Sequence, residues 1–501
     1  MGLDGAWLRK RPVKKQPAKK RHPRKKLKKK ATSSSASGNL TEHKGYPPQA
    51  AYIVGNEACE RFSFYGMKSI LTVFMVQYLL FSEAHASEVV HLFVAFCYIT
   101  PLLGAYLADR WFGRYKVILT LSLFYCLGHG TLALMDIPGV TGDLKEWILY
   151  IGLGLIAFGA GGIKPCVSAF VGDQFTKSNS HLISGIYQIF YFSINLGSTF
   201  ATILIPWLLK THGPAWAFGI PGVLMAIATF VFWLGRKQYR NLPPTGKDPD
   251  SVTSVLITGF TSKKKGGFWE RAKKDHPAAR VEGTRAVLGI IPIIVFASVF
   301  WALFDQTATS WILQAQNMNQ DINLFGWSFQ ILPSQMQAAN PIMVMAMIPL
   351  FAIFIYPALN KFYETTPLRR MGWGIALAGV SFFQVGYIQA LMDGGQNVSI
   401  LAQIIPYLTL TASEIMFSIT GLEFCYTQAP KENKSTVMSL WFVGVFLGNL
   451  AVVAFIKSMS SGEGAKMATV GTFNFFGLLS IITAGLFAAY AMKYKMRNYV
   501  G

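Results

Sequence analysis

The sequence predicts an all-α membrane protein with twelve transmembrane helices in two six-helix bundles, and three observations predict it. Hydrophobic residues fill 52% of the 501 positions, at a mean hydropathy of +0.36. Apolar runs recur from residue 50 to residue 492, and twelve of them approach or exceed the roughly 20 residues that cross a bilayer. One long polar stretch, 236–284, stands between the sixth run and the seventh. The expected organisation is a disordered basic cytoplasmic tail over 1–46, a first six-helix bundle over 47–235, a cytoplasmic linker over 236–284 and a second six-helix bundle over 285–501.

The first run, 50–80, carries Glu57, Glu60 and Arg61 within five residues. Each ionised side chain costs about 2.5–3.5 kcal/mol near the bilayer centre, so a chain that keeps three is using them. At i, i+3 and i+4 they share one helix face and partly neutralise each other. The second run, 87–108, holds His91 and ends in GAYLADRWFGRYK, 104–116, a short basic turn into the third run, 115–135. Taken alone, Arg110, Arg114 and Lys116 read as a stop signal. The fourth run, 147–171, contains Lys164 in GAGGIKPCVSAFVGDQF, 159–175; the fifth, 182–209, contains FYFSINLGS, 190–198; the sixth, 215–235, closes the first set. The polar stretch that follows predicts one amphipathic helix around 268–278 and is too polar for two further spans. The seventh run, 285–314, contains FWALFDQ, 300–306, and the eighth, 335–360, contains Asn340 in AANP. A second basic turn with Lys361, Arg369 and Arg370 leads into the ninth run, 367–391, and only MDGGQNVS joins this to the tenth, 400–428, which holds Glu414 in TASEIMFS. The last two runs are 435–458 and 468–492. Pro101, Pro165, Pro292 and Pro341 give these long helices places to bend.

A net charge of +22 raises the question of nucleic acid, and its distribution answers it. Residues 1–30 hold fourteen Lys and Arg against one Asp, in a segment almost without apolar residues. Such a segment is expected to be disordered and to lie against anionic cytoplasmic lipid. No short apolar core follows it, so it is not a signal peptide. With the amino terminus cytoplasmic, 39 of the 46 Lys and Arg fall on that side of the membrane, and only Lys145, Lys210, Lys457 and Lys466 fall on the other. Both termini are therefore expected in the cytoplasm of a multi-pass cell-membrane protein. The three remaining cations, Arg61, Lys68 and Lys164, lie within spans of the first half. All five cysteines fall inside spans and read as small packing residues, without metal-ligand spacing. No phosphate-binding loop suggests ATP, and nothing points to an enzyme, a metal or a cofactor.

The basic turn, with Asp109, Arg110, Gly113 and Arg114, resembles the loop signature of the major facilitator superfamily. In the first run, Glu57-Ala-Cys-Glu60-Arg61-Phe62-Ser-Phe64-Tyr65-Gly66 resembles the ExxERFxYYG signature of the proton-coupled oligopeptide transporters within that superfamily, with Phe64 in place of the usual tyrosine. The runs at 159–175, 190–198, 300–306 and 421–424 resemble the same family, so the similarity covers essentially the whole membrane part. The resemblance implies the major facilitator fold and puts Arg61 and Lys164 near a peptide carboxylate, Glu414 near its amino group, and Asn195 and Asn340 at the peptide backbone. Tyr65, Tyr98, Trp301 and Trp441 would surround variable side chains. It also implies Glu57, Glu60 and Asp305 as proton carriers, with Lys164 beside them, and a gate in which His91 contacts Asp305 while Lys68, usually arginine in this family, pairs with Asp305.

Plainer readings exist for each group: Lys164 permanently paired with Glu60, His91 as a packing residue, lone asparagines as interhelical glue. A zwitterionic peptide nevertheless needs one cation and one anion, and the two halves supply them. The expected function is a proton-driven symporter for di- and tripeptides that works as a monomer, with protons and the lipid bilayer as its other partners and no nucleic acid. Rival readings are another solute on the same scaffold, such as nitrate, histidine or a peptide-like metabolite, and a non-transporting nutrient receptor. Nitrate has no ammonium for Glu414.

Overall fold

The first apolar run folds as α1, Ala50–Gln77, a helix of 28 residues, or about 42 Å, although it carries Glu57, Glu60, Arg61 and Lys68. The computed structural model describes residues 45–246, 248–324, 326–430, 433–459 and 466–494; the basic tail expected to be disordered lies outside the described residues apart from Gly45 and Tyr46. Eleven other helical stretches are long and apolar enough to cross a membrane; α1 is as long but more charged, and makes the twelfth long helix among the described residues.

In the first half, Ser82 caps α2, Glu83–Leu107, by accepting from the His85 N–H. The helix widens into a π turn, Ala108–Phe112, before Gly113, whose φ of 77° suits a glycine, reverses the chain into α3, Arg114–Ala133. The remaining spans of this half are α4, Asp143–Asp173, α5, Ile183–His212, and α6, Pro214–Leu234. Closely apposed glycines let helices meet: a Cβ at Gly104 of α2 would stand 2.5 Å from the Gly162 Cα of α4.

The linker carries two short helices where one was expected. α7, Val252–Thr261, precedes α8, Phe268–Lys273, and Val255, Ala272 and Val281 bury one another beneath them. α7 carries no charged side chain, so charge pattern gave no signal for it.

The second half departs more from uninterrupted helices. The seventh span comprises α9, Ala278–Phe304, a 3₁₀ turn at Asp305–Ala308, and α10, Ser310–Gln316. No proline causes this break; Thr309 leaves helical geometry at φ −129°, ψ −93°, and the Thr72 hydroxyl donates to the Ala308 carbonyl at 2.6 Å. A β-hairpin follows, β1, Asp321–Leu324, antiparallel to β2, Trp327–Gln330, with Asp321 opposite Gln330. This is the exception to the all-helical expectation. The eighth span runs from a 3₁₀ turn at Pro333–Ala338 through α11, Ala339–Leu350, and a π turn to α12, Tyr356–Asn360. α13, Pro367–Asp393, is the ninth span, and the tenth is α14, Ile404–Glu414, a π turn at Ile415–Ile419 and α15, Thr420–Thr427. α16, Lys434–Met459, and α17, Val470–Lys493, complete the set.

One hydrophobic core gathers residues of α1 to α6; a second gathers residues of α9 to α17, with Ala84 of α2. This is the major facilitator architecture of two six-helix bundles, and α2 packs against α16 across the division. We call the end where α1, α3 and α5 begin the basic end, after its turns, and the opposite one the far end.

Candidate functional site

The i, i+3, i+4 spacing does bring the α1 triplet together. Arg61 Nε donates to Glu57 Oε1 at 2.8 Å and stands 2.9 Å from Glu60 Oε2, with all three side chains buried. Both Glu60 oxygens remain without a hydrogen bond among the described residues. Lys164 of α4 does not pair with Glu60. Its ammonium lies 4.1 Å from the Phe64 ring centroid and 4.3 Å from that of Tyr98, held by cation–π contact and without a hydrogen-bond partner among the described residues. Phe64, where a tyrosine was expected, thus offers Lys164 a ring face.

Between the bundles lies a cavity of about 200 Å³. Tyr65, Tyr98 and Asn195 line it from the first bundle, and Trp301, Asn340 and Glu414 from the second. Asn340 Nδ2 donates to Glu414 Oε2 at 2.7 Å and to Thr411 Oγ1 at 3.2 Å, so the amide holds the carboxylate in place. Glu414 is the last residue of α14 before its π turn, a helix irregularity frequent at functional sites. The Trp301 indole N–H and the Tyr407 hydroxyl, on two residues of the cavity wall, are buried and have no hydrogen-bond partner among the described residues.

Toward the far end, Lys68 Nζ meets Asp305 Oδ1 at 2.7 Å, joining α1 to the turn after α9 as the sequence predicted. The expected direct contact between His91 and Asp305 is replaced by a bridge. Asn449 of α16 donates from Nδ2 to Asp305 Oδ2 at 2.8 Å, and its Oδ1 accepts from His91 Nδ1 at 2.8 Å. With Nδ1 donating, His91 Nε2 is left to accept from the Thr309 hydroxyl at 3.1 Å. Further bonds between the bundles gather at the same end: Gln337 Nε2 to the Ser69 carbonyl at 3.1 Å, Gln335 Nε2 to the Ile203 carbonyl at 2.9 Å, Lys457 to Glu88 at 3.0 Å, and the Met467 N–H to Glu83 Oε2 at 3.0 Å. These inter-bundle bonds all lie on the far-end side of the cavity.

At the basic end, Arg114 spans Asp173 and Asp109, the latter at 3.7 Å, tying α3 to α4 and to the turn after α2.

A profile described as the POT family matches residues 115–470. The chain belongs to the POT family. Among similar proteins, Peptide transporter 3 of Caenorhabditis elegans is 39% identical over 366 residues, covering 70% of this chain and 52% of the relative. Solute carrier family 15 member 2 of Mus musculus is 37% identical over 395 residues, covering 75% and 54%. The chain thus spans about half the length of the curated relatives it matches. Of solved structures, an auto-inhibited POT family peptide transporter superposes with a TM-score of 0.84 at 39% identity, over 91% of this chain and 99% of that one. The POT family transporter PepTSo gives 0.83 at 41%, over 90% and 99%.

Within this POT family fold, Tyr65, Tyr98, Asn195, Trp301, Asn340 and Glu414 meet at the cavity as expected. Three expected ligands do not line it. Arg61 is held by its two glutamates, Lys164 stands behind the Phe64 and Tyr98 rings, and Trp441 is 3% exposed, stacked on Phe417 at 5.9 Å. Sequence reasoning missed Asn449 and Tyr407. A lone asparagine in the apolar run FLGNLAVV was the available signal for the first; a tyrosine among apolar residues gave none for the second.

Proposed function

We propose that this POT family member is a proton-driven symporter that brings di- and tripeptides into the cell by alternating access. The observation that carries the reading is the cavity between the bundles, walled by an asparagine, tyrosines and a tryptophan, with the Glu414 carboxylate on one side and a cation-bearing first bundle on the other. A peptide's ammonium would take the place of the Asn340 amide at Glu414, and its carboxylate would draw on Lys164, or on Arg61 once a glutamate releases it. Glu57 and Glu60 are the proton carriers we favour. Protonating either weakens its hold on Arg61, which ties proton binding to release of a cation toward the solute. Asp305, Lys68 and His91, with Asn449 between them, form the gate.

The residue ranges 47–235 and 285–501 serve as the two moving bodies, joined by 236–284. In the orientation we infer from the basic loops, both termini and the basic end face the cytoplasm, so the far end is the outer gate and is shut here. The carrier works as a monomer and performs no covalent chemistry.

The test is pH-driven uptake and counterflow of labelled dialanine in proteoliposomes. The expected result is accumulation under an inward proton gradient; none, with the protein folded and inserted, defeats symport. Glu57→Gln or Glu60→Gln is expected to abolish proton-driven uptake yet keep counterflow. Undiminished gradient-driven accumulation in both variants would assign the carriers elsewhere.

A further inference from the structure

A second cavity, of about 220 Å³, lies at the far end and is also walled by both bundles. Its polar lining is Gln77 at the end of α1, Tyr78 just after it and Lys210 of α5 from the first bundle, with Gln316, Gln320 and Ser334 from the second. Two features mark it as built for a ligand. Ser334 is 3% exposed, yet its hydroxyl has no hydrogen-bond partner, and neither does the buried Gln316 Nε2. Leaving such donors unsatisfied costs about 1–3 kcal/mol each. The lining also contains a cation and no carboxylate. Lys210 meets the neutral Gln330 side chain, and the Asp136 carboxylate near by is engaged with the Ala215 N–H at the start of α6.

We propose that this cavity is a carboxylate site that locks the far end shut. The Lys210 ammonium supplies the charge, while the Ser334 hydroxyl and the Gln316 amide donate to the carboxylate oxygens, as charge-assisted bonds favour. No acidic side chain is present to receive an ammonium, which separates this site from the cavity holding Glu414. The volume exceeds several times the about 30 Å³ that one water occupies in the liquid, which leaves room for a short carboxylate. Lys210 belongs to one bundle and Gln316 and Ser334 to the other, so the three converge only while the far end is closed. A ligand that needs all three binds that state alone and shifts the population toward it. Occupied, the site acts as a brake on opening, whichever solute the central cavity takes.

The carboxylate can come from a free monocarboxylate or from the carboxyl end of a peptide, and two probes tell them apart: propionate, and dialanine acetylated at its amino group. Neither carries an ammonium for Glu414. Each is titrated into the purified full chain while the melting temperature is followed. Spin labels on the far ends of the two bundles report their separation in the same samples. The expected result is a saturable rise in melting temperature with at least one probe, accompanied by a larger closed-far-end population. Both effects are lost in Lys210→Gln and Ser334→Ala and retained in Lys210→Arg. Absence of any shift in the wild type, an equal shift in Lys210→Gln, or a shift toward the open far end would each overturn the proposal. Neither readout involves uptake, so failure here leaves the peptide-symport reading standing, and the converse also holds.

Discussion

Replacing Asn449 by leucine isolates the contribution of one hydrogen bond to the closed far end. Asn449 makes two bonds within its own bundle, to Asp305 at 2.8 Å and to the Val445 carbonyl at 3.0 Å, and one across to His91 at 2.8 Å. Leucine keeps the volume and removes all three. The two internal bonds are lost whether the far end is open or closed, so their cost lowers overall stability and cancels from the opening equilibrium. Only the His91 bond differs between the states. A net hydrogen bond contributes about 0.5–1.5 kcal/mol, so the closed state should lose about 2- to 13-fold in population relative to the open one. Spin labels at Ile137 and Gln396, exposed far-end positions on opposite bundles, would report the ratio as two distance populations. An unchanged ratio, or a shift toward closure, would refute the view that the Asn449 bridge clamps this end. A shift well beyond the predicted range would show that His91 also loses its bond to Thr309.

Three further outcomes follow from the same geometry. Asp305→Ala leaves the Lys68 ammonium buried and unpaired only while the far end is closed; breaking a buried pair from one side costs about 3–5 kcal/mol, so the same labels should show opening favoured by more than about 100-fold, and a smaller effect than that of Asn449→Leu would contradict this. Glu414→Gln should raise the KM for dialanine by about 10- to 150-fold, as expected for loss of a charged hydrogen bond of about 1.5–3 kcal/mol, while leaving uptake of an amino-acetylated dipeptide near its wild-type level; equal losses for both would remove Glu414 from ammonium recognition. Gly104→Ala puts a methyl group against the Gly162 Cα and the Gly161 carbonyl, where backbone cannot yield without parting α2 from α4; it should cost about 1–3 kcal/mol, read as a lower melting temperature of the purified protein, and an unchanged value would contradict that close approach.

Much of this architecture was legible because a bilayer imposes one-dimensional rules. Spans must be apolar and about 20 residues long, and basic loops gather on one side, so run length and the placement of Lys and Arg suffice to count helices and pair them into halves. The cost of burying charge made Glu57, Glu60, Arg61, Lys68 and Lys164 conspicuous without any structure. Local spacing alone puts Glu57, Glu60 and Arg61 on one face of α1.

What the sequence left open were choices among partners from different helices. Arg61 follows Glu60 on α1 and Lys164 approaches from α4; the folded chain gives Arg61 the glutamates and Lys164 the Phe64 and Tyr98 rings, a matter of side-chain reach that no pattern encodes. The interposition of Asn449 between His91 and Asp305 requires α2, the turn after α9 and α16 to converge, although Asn449 is 144 positions from Asp305 and 358 from His91. The break at Asp305 and the π turn after Glu414 carry no proline; at the first, Thr72 of α1 donates to the Ala308 carbonyl. The sequence by itself determined which groups are costly to bury, because desolvation cost belongs to a residue and its surroundings along the chain. Only the tertiary structure decided who pairs with whom, because pairing energy depends on distances of 3–4 Å between helices whose packing the whole chain sets.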